Sequence, residues 1–115
     1  MNDSSCNLRQ KKCKPCEGGT LPMTQEQIES LMKEIPGWSA NHDYTSIERA
    51  YKLKDFRESV EFVNRVSQIA ENEDHHPDIN LHNYNKVKIT LQTHAINGLS
   101  ENDFIVASKI DASET

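Results

Sequence analysis

Aromatic residues make up only 6% of this chain and hydrophobic residues 35%, so any core is small and leans on a few aliphatic side chains. No apolar run approaches the roughly 18 residues of a membrane span. The opening MNDSSCNLRQKKCKPC also lacks the apolar stretch of a secretory signal. Neither membrane insertion nor secretion is expected. Positive charge is not in excess: 13 Lys and Arg stand against 18 Asp and Glu, a formal charge of −5. Phosphate backbones demand the reverse, which disfavours direct nucleic-acid binding. Cysteine is scarce, with Cys6, Cys13 and Cys16 all near the start. An odd number of thiols gives no disulfide framework and points to a reducing cytoplasm. No repeat or low-complexity tract is present, and 115 residues fit one ordinary domain.

Residues 1–21 are polar and aperiodic and contain Gly18-Gly19, so they read as a loosely held arm before a domain at 22–115. Cys13-Lys-Pro-Cys16 is half of a zinc site at most, because tetrahedral structural sites need four ligands and no second pair follows. Thr24 with Gln27 then forms a capping box, Met23 and Ile28 a staple, and Ile28, Leu31, Met32 and Ile35 one helical stripe that Pro36-Gly37 stops. Trp38–Asn41 and Ser46–Leu53 read as a hairpin around His42–Thr45, with Ile47, Ala50 and Tyr51 candidates for burial. Asp55 caps the longest helix, whose apolar face is read as Phe56, Val60, Val63, Val66, Ile69 and Ala70. Pro77 ends it near His75.

Ile79–Tyr84 and Lys86–His94 form a second hairpin. In its return strand Val87, Ile89 and Leu91 face one way, and Lys88, Thr90, Gln92 and His94 the other. Asn97-Gly98 turns the chain, and Ser100 caps a last helix with Asp103 at its third position and Val106, Ala107 and Ile110 inward. The order α-β-β-α-β-β-α predicts an α+β domain, a four-stranded antiparallel sheet with helices packed on one face. Periodicity leaves the strand order open.

Chemistry concentrates in Glu71-Asn-Glu-Asp-His-His-Pro77, three carboxylates and two imidazoles at a helix exit, where the macrodipole favours protonated histidine. Imidazoles donate or accept protons near neutrality, and adjacent carboxylates set their tautomer and orientation. His94, at the end of the fourth predicted strand, joins the same pocket if that end meets the helix exit. Zinc held by His75, His76 and His94 is the rival, but adjacent histidines on extended backbone diverge, so metal-free acid–base chemistry is preferred. His42 and His82 read as surface groups.

The pattern Glu71-x3-His75-His76-Pro77-x6-Tyr84-x9-His94-x8-Asp103 resembles the signature of the pterin-4a-carbinolamine dehydratases. Gly37-Trp38, Lys54-Asp55-Phe56, Tyr84-Asn85-Lys86-Val87 and Gly98-Leu99-Ser100 are similar to it too, over roughly residues 21 to 111, essentially the whole domain. The Cys13–Gly19 leader resembles an extension carried by many members. The resemblance implies a dehydratase that converts 4a-hydroxytetrahydropterin to quinonoid dihydropterin and water in tetrahydrobiopterin recycling, linked functionally to an aromatic amino-acid hydroxylase. It further implies a homodimer or homotetramer with neither metal nor organic cofactor. His75, His76 and His94 are then the catalytic set. Glu71, Asp74 and Asp103 orient imidazoles, Pro77 shapes the turn, and Tyr84 and Trp38 supply flat surface against the pterin. One branch of the family serves as dimerisation cofactor of a transcription factor, so the alternative is a protein-binding module on the same fold.

Overall fold

A computed structural model describes residues 8–13 and 21–113. Cys6 and Cys16 lie outside the described residues.

Three helices form where side chains satisfy their first free N–H groups. α1 (Gln25–Met32) begins at Thr24, whose hydroxyl accepts from Gln27 N–H at 3.2 Å while Gln27 Oε1 accepts from Thr24 N–H at 2.9 Å. α2 (Phe56–Glu73) starts with the Asp55 carboxylate accepting from Glu58 N–H at 2.9 Å. α3 (Glu101–Ala112) carries a second capping box, Ser100 with Asp103. No described helix is long and apolar enough to cross a membrane.

The strands are β1 (Ser39–Ala40), β2 (Ile47–Lys52), β3 (Asp78–His82) and β4 (Lys86–Leu91), in one antiparallel sheet of order β1-β2-β4-β3. Ile47 pairs with Leu91, Arg49 with Ile89 and Tyr51 with Val87, so alternation on both central strands turns these apolar side chains to one face. There Ile47, Tyr51, Val87, Ile89 and Leu91 share the core with Ile28 and Ile35, with Phe62 and Val66 of α2, and with Phe104 to Ala107 and Ile110 of α3. The α+β architecture is the one expected from the sequence. The strand order, with β4 inserted between β2 and β3, is what periodicity could not supply.

Four local expectations are corrected. Ala50 is exposed, because it lies opposite in parity to Ile47 and Tyr51 and pairs with Lys88 on the open face. The inner stripe of α2 is Ser59, Phe62, Val66, Ala70 and Glu73, while Phe56 is 56% and Val60 38% exposed. Polar groups hide within that stripe: the Ser59 hydroxyl donates to the Asp55 carbonyl at 2.9 Å. β4 ends at Leu91, and His94 opens a 3₁₀ turn, His94–Ile96, in a loop closed by Thr93 N–H to the Gly98 carbonyl at 2.9 Å. Gly98 is required there, since a Cβ would stand 2.8 Å from Pro22 Cβ. Finally, Leu8–Cys13 is no loose arm: Leu8 is fully buried in the core, and Leu8–Gln10 forms a 3₁₀ turn packed against α3.

Asp111 ties sheet to helix. Its carboxylate accepts from Trp38 Nε1–H at 3.0 Å, Arg49 Nη1–H at 2.8 Å and the Tyr51 hydroxyl at 2.9 Å. Asp111→Ala removes the acceptor that the Trp38 N–H and the Tyr51 hydroxyl share, and we expect it to cost about 2 kcal/mol of stability in urea unfolding. The activity of the molecules that stay folded is expected to be unchanged.

Candidate active site

α2 ends because Asp74 turns left-handed, φ 53° and ψ 43°, a region that Asp tolerates better than most residues. The N–H groups of Asp74 and His75 both donate to the Ala70 carbonyl, the second at 3.2 Å, a reversal of the Schellman kind. The reversal aims the two histidines at different carboxylates. His75 Nε2 lies 2.7 Å from Asp103 Oδ1 on α3, and His76 Nε2 lies 2.7 Å from Glu71 Oε2, one turn back on α2. His75 is only 12% exposed and Asp103 not at all, whereas His76 and Glu71 are open to solvent at 56% and 70%. One imidazole is fixed inside the fold; the other is free to meet a ligand.

Asp103 is the hub of the corner. Its Oδ2 accepts from the Thr93 hydroxyl at 2.7 Å and from Ser100 N–H at 3.0 Å, while the Thr93 and Ser100 hydroxyls lie 2.8 Å apart. A carboxylate at a helix N-terminus is favoured by the macrodipole, and one surrounded by donors acts only as acceptor. His75 Nε2 therefore carries the proton, which leaves Nδ1 as the nitrogen able to take a second one.

His94 follows Thr93 directly and is exposed. The pairing of Asp78 with Thr90 sets the start of β3 and the end of β4 at one end of the sheet. His75, His76 and His94 thus lie on segments at the same end of the sheet, where Asp103 links His75 to Thr93, the residue before His94. Asp74 and Pro77 flank the histidine pair, Asp74 exposed and Pro77 half-buried. Among the described residues, no group of three His, Cys, Asp or Glu is arranged to hold a metal ion.

Two expected members stand elsewhere. Tyr84 occupies the β3–β4 turn with φ 57°, 62% exposed. The five residues of β3 carry it about 17 Å from the histidine end. Trp38 is 4% exposed, its ring edge-on to Tyr51 and its N–H directed at Asp111. Asp111 lies eight residues beyond Asp103, about 12 Å along α3. His42 and His82 are exposed, as expected. A cleft of about 290 Å³ lined by Arg49, Tyr51, Leu53, Phe62 and Arg65 runs between β2 and α2 and contains no histidine. Chemistry, not concavity, singles out the Asp103 corner.

Sequence reasoning missed Thr93 and Glu73. Thr93 gives no signal beyond its place before His94. Glu73 reads as part of a solvated acidic run, yet it is buried, accepting from Lys109 Nζ at 2.6 Å and from Cys13 N–H at 2.8 Å. Burial works against its charge, but the Lys109 hydrogen bond, the Cys13 N–H and the Lys109 and Lys12 charges outweigh it and hold the carboxyl below the usual range. Burial, followed by the charge of Glu73, pushes the Cys13 thiol up to about 12. That thiol stays protonated and donates to the Asn102 carbonyl at 3.6 Å.

The family model described as Pterin 4 alpha carbinolamine dehydratase matches residues 21–113. This chain belongs to that family. A dehydratase-family relative from Halorhodospira halophila is 47% identical over 106 residues, 92% of this chain and 96% of its own. Pterin-4-alpha-carbinolamine dehydratase 2, mitochondrial, from Arabidopsis thaliana is 42% identical over 94% of this chain and 59% of its own. Among solved structures, a transcriptional coactivator/pterin dehydratase from Brucella melitensis superposes with a TM-score of 0.74 at 33% identity, covering 79% of this chain and 96% of that one. The dehydratase-family match takes in all four strands and all three helices, histidine corner included.

Proposed function

We propose that the chain dehydrates a 4a-hydroxytetrahydropterin to the quinonoid dihydropterin and water by proton transfer through histidine. Family membership supports the substrate. The observation that carries the chemistry is the 2.7 Å contact of His75 Nε2 with a fully buried Asp103, beside a second imidazole paired to Glu71.

Hydroxide leaves carbon poorly, so the 4a-oxygen must gain a proton as the C4a–O bond breaks. The N5 lone pair closes the C=N bond, and the N5 proton passes to a base. Nothing is oxidised or reduced, and two proton transfers complete the reaction without a metal ion or organic cofactor. In this reading His76 or His94 protonates the departing hydroxyl, and the remaining pair serves N5 and substrate placement. Asp103 holds His75 in one tautomer, Glu71 stabilises a protonated His76, and Asp74 and Pro77 shape the turn that presents both.

The reaction belongs to tetrahydrobiopterin recycling after an aromatic amino-acid hydroxylase, in the cytoplasm, with the chain as homodimer or homotetramer. Stopped-flow detection of quinonoid dihydropterin from chemically generated carbinolamine tests it. Two positioned proton carriers are expected to speed the step at least about 100-fold at neutral pH; a rate no faster than buffer refutes the reading. The second reading, a protein-binding module, is favoured by the Brucella relative's description as a transcriptional coactivator and by the apolar Phe56 and Val60 exposed on α2.

A further inference from the structure

Four consecutive contacts from the leader land on the two segments that carry the His75–Asp103 pair. Lys12 Nζ donates to the Asn72 carbonyl at 2.6 Å, and Cys13 N–H to Glu73 Oε1 at 2.8 Å, both in the last turn of α2. Lys11 Nζ meets Glu101 Oε2 at 2.6 Å, and Cys13 Sγ–H the Asn102 carbonyl at 3.6 Å, both in the first turn of α3. The other end of the segment is anchored by Leu8, fully buried. Lys109 closes the link from α3 to the second oxygen of Glu73 at 2.6 Å. Asn72 and Glu73 lie just before His75, and Glu101 and Asn102 just before Asp103.

We propose that Lys11–Cys13 is a strap that sets the spacing between the end of α2 and the start of α3, and that Glu73, which it grips, is a positioning residue for the His75–Asp103 pair. This deepens the dehydratase reading and rests on it for its kinetic consequence. The physical reason is leverage. A hydrogen bond weakens steeply as it lengthens or bends, and the helix ends that carry donor and acceptor meet here without a strand between them. A buried carboxylate bound by both the strap and Lys109 holds those ends together. The neutral thiol of Cys13 adds no second negative charge beside Asp103.

The test uses the full chain and two readouts, kcat with KM, and the hydrogen-bonded Nε2–H proton signal of His75 followed by NMR. Glu73→Ala is expected to lower kcat about tenfold with KM changed less than about threefold. It should also move the hydrogen-bonded His75 Nε2–H proton signal upfield and broaden it by faster exchange with water, as the bond to Asp103 lengthens. Glu73→Gln keeps an oxygen for Cys13 N–H and should lose only about twofold. A role confined to holding the fold would reduce the melting temperature alone; kcat per folded molecule and the His75 Nε2–H signal both unchanged overturn the proposal. If Glu73→Ala fails to fold, the double variant K11A/K12A, on side chains more open to solvent, should cost about threefold in kcat and move the His75 Nε2–H signal the same way. Unchanged values there overturn it as well. If the wild-type chain does not dehydrate the carbinolamine, the dehydratase reading fails, and the His75 Nε2–H signal decides the strap by itself.

Discussion

Replacing Asp103 by alanine is expected to remove about 3 kcal/mol of folding stability and to lower kcat by about two to three orders of magnitude. Both losses come from one carboxylate. With no exposed surface, it is the acceptor for the Thr93 hydroxyl, the Ser100 N–H and the His75 imidazole. Alanine leaves those donors facing a dry gap, and a buried donor without a partner costs far more than a hydrogen bond contributes when made. Urea unfolding of the variant measures the first loss, and stopped-flow dehydration the second.

Asparagine at 103 separates the two. Its side-chain oxygen still serves Thr93 and Ser100, so stability falls by only about 1 kcal/mol. Toward His75, however, it turns an N–H where an acceptor stood, so Nε2 must give up its proton and Nδ1 take it. The imidazole then presents the wrong tautomer to the reacting atoms, and kcat should fall nearly as far as in the alanine variant. An asparagine variant with wild-type turnover would show that Asp103 supports the fold and not the proton transfer.

The helix starts were legible because capping is a local matter. Thr24, Asp55 and Ser100 each sit three residues before the group they bind, and all three form the expected cap. The inner face of β4 was legible for the same reason, since Val87, Ile89 and Leu91 need only alternate. The face of α2 was not, because burial there is decided by tertiary partners that hydrophobicity does not encode. Ser59 and Glu73 point inward because Asp55, Lys109 and Cys13 satisfy them, and Phe56 and Val60 are left outside. A strand order with β4 central comes from long-range pairing, and so does the core position of Leu8, far from any periodic segment.

The site shows the same division. His75, His76 and Asp103 were visible as a charged cluster and a capped helix, but their roles depend on which carboxylate each imidazole reaches. That depends on the left-handed turn at Asp74, which no periodicity announces. Trp38 shows the opposite error. Its indole suits a flat ligand, yet Asp111 accepts from its N–H and its ring packs at a steep angle to that of Tyr51 inside the core.

The exposed histidines yield the largest separation between activity and stability. His76→Ala and His94→Ala, alone or combined, are expected to leave the melting temperature within about 2 °C of the wild type. Each single change should lower kcat by about 10²- to 10⁴-fold. Neither side chain is buried, so removing it creates no cavity and, at Glu71, only frees an exposed carboxylate to water. In the proposed dehydration, by contrast, each imidazole has a proton to move or a substrate to orient. The double variant should lose less than the product of the two single losses if His76 and His94 act on one transition state as a unit. A double variant that keeps wild-type turnover would leave His75 as the sole proton carrier. One that loses all turnover yet still binds a protein partner would show that the family's two activities separate on this chain, with the helix faces serving the partner and the corner at Asp103 serving the pterin.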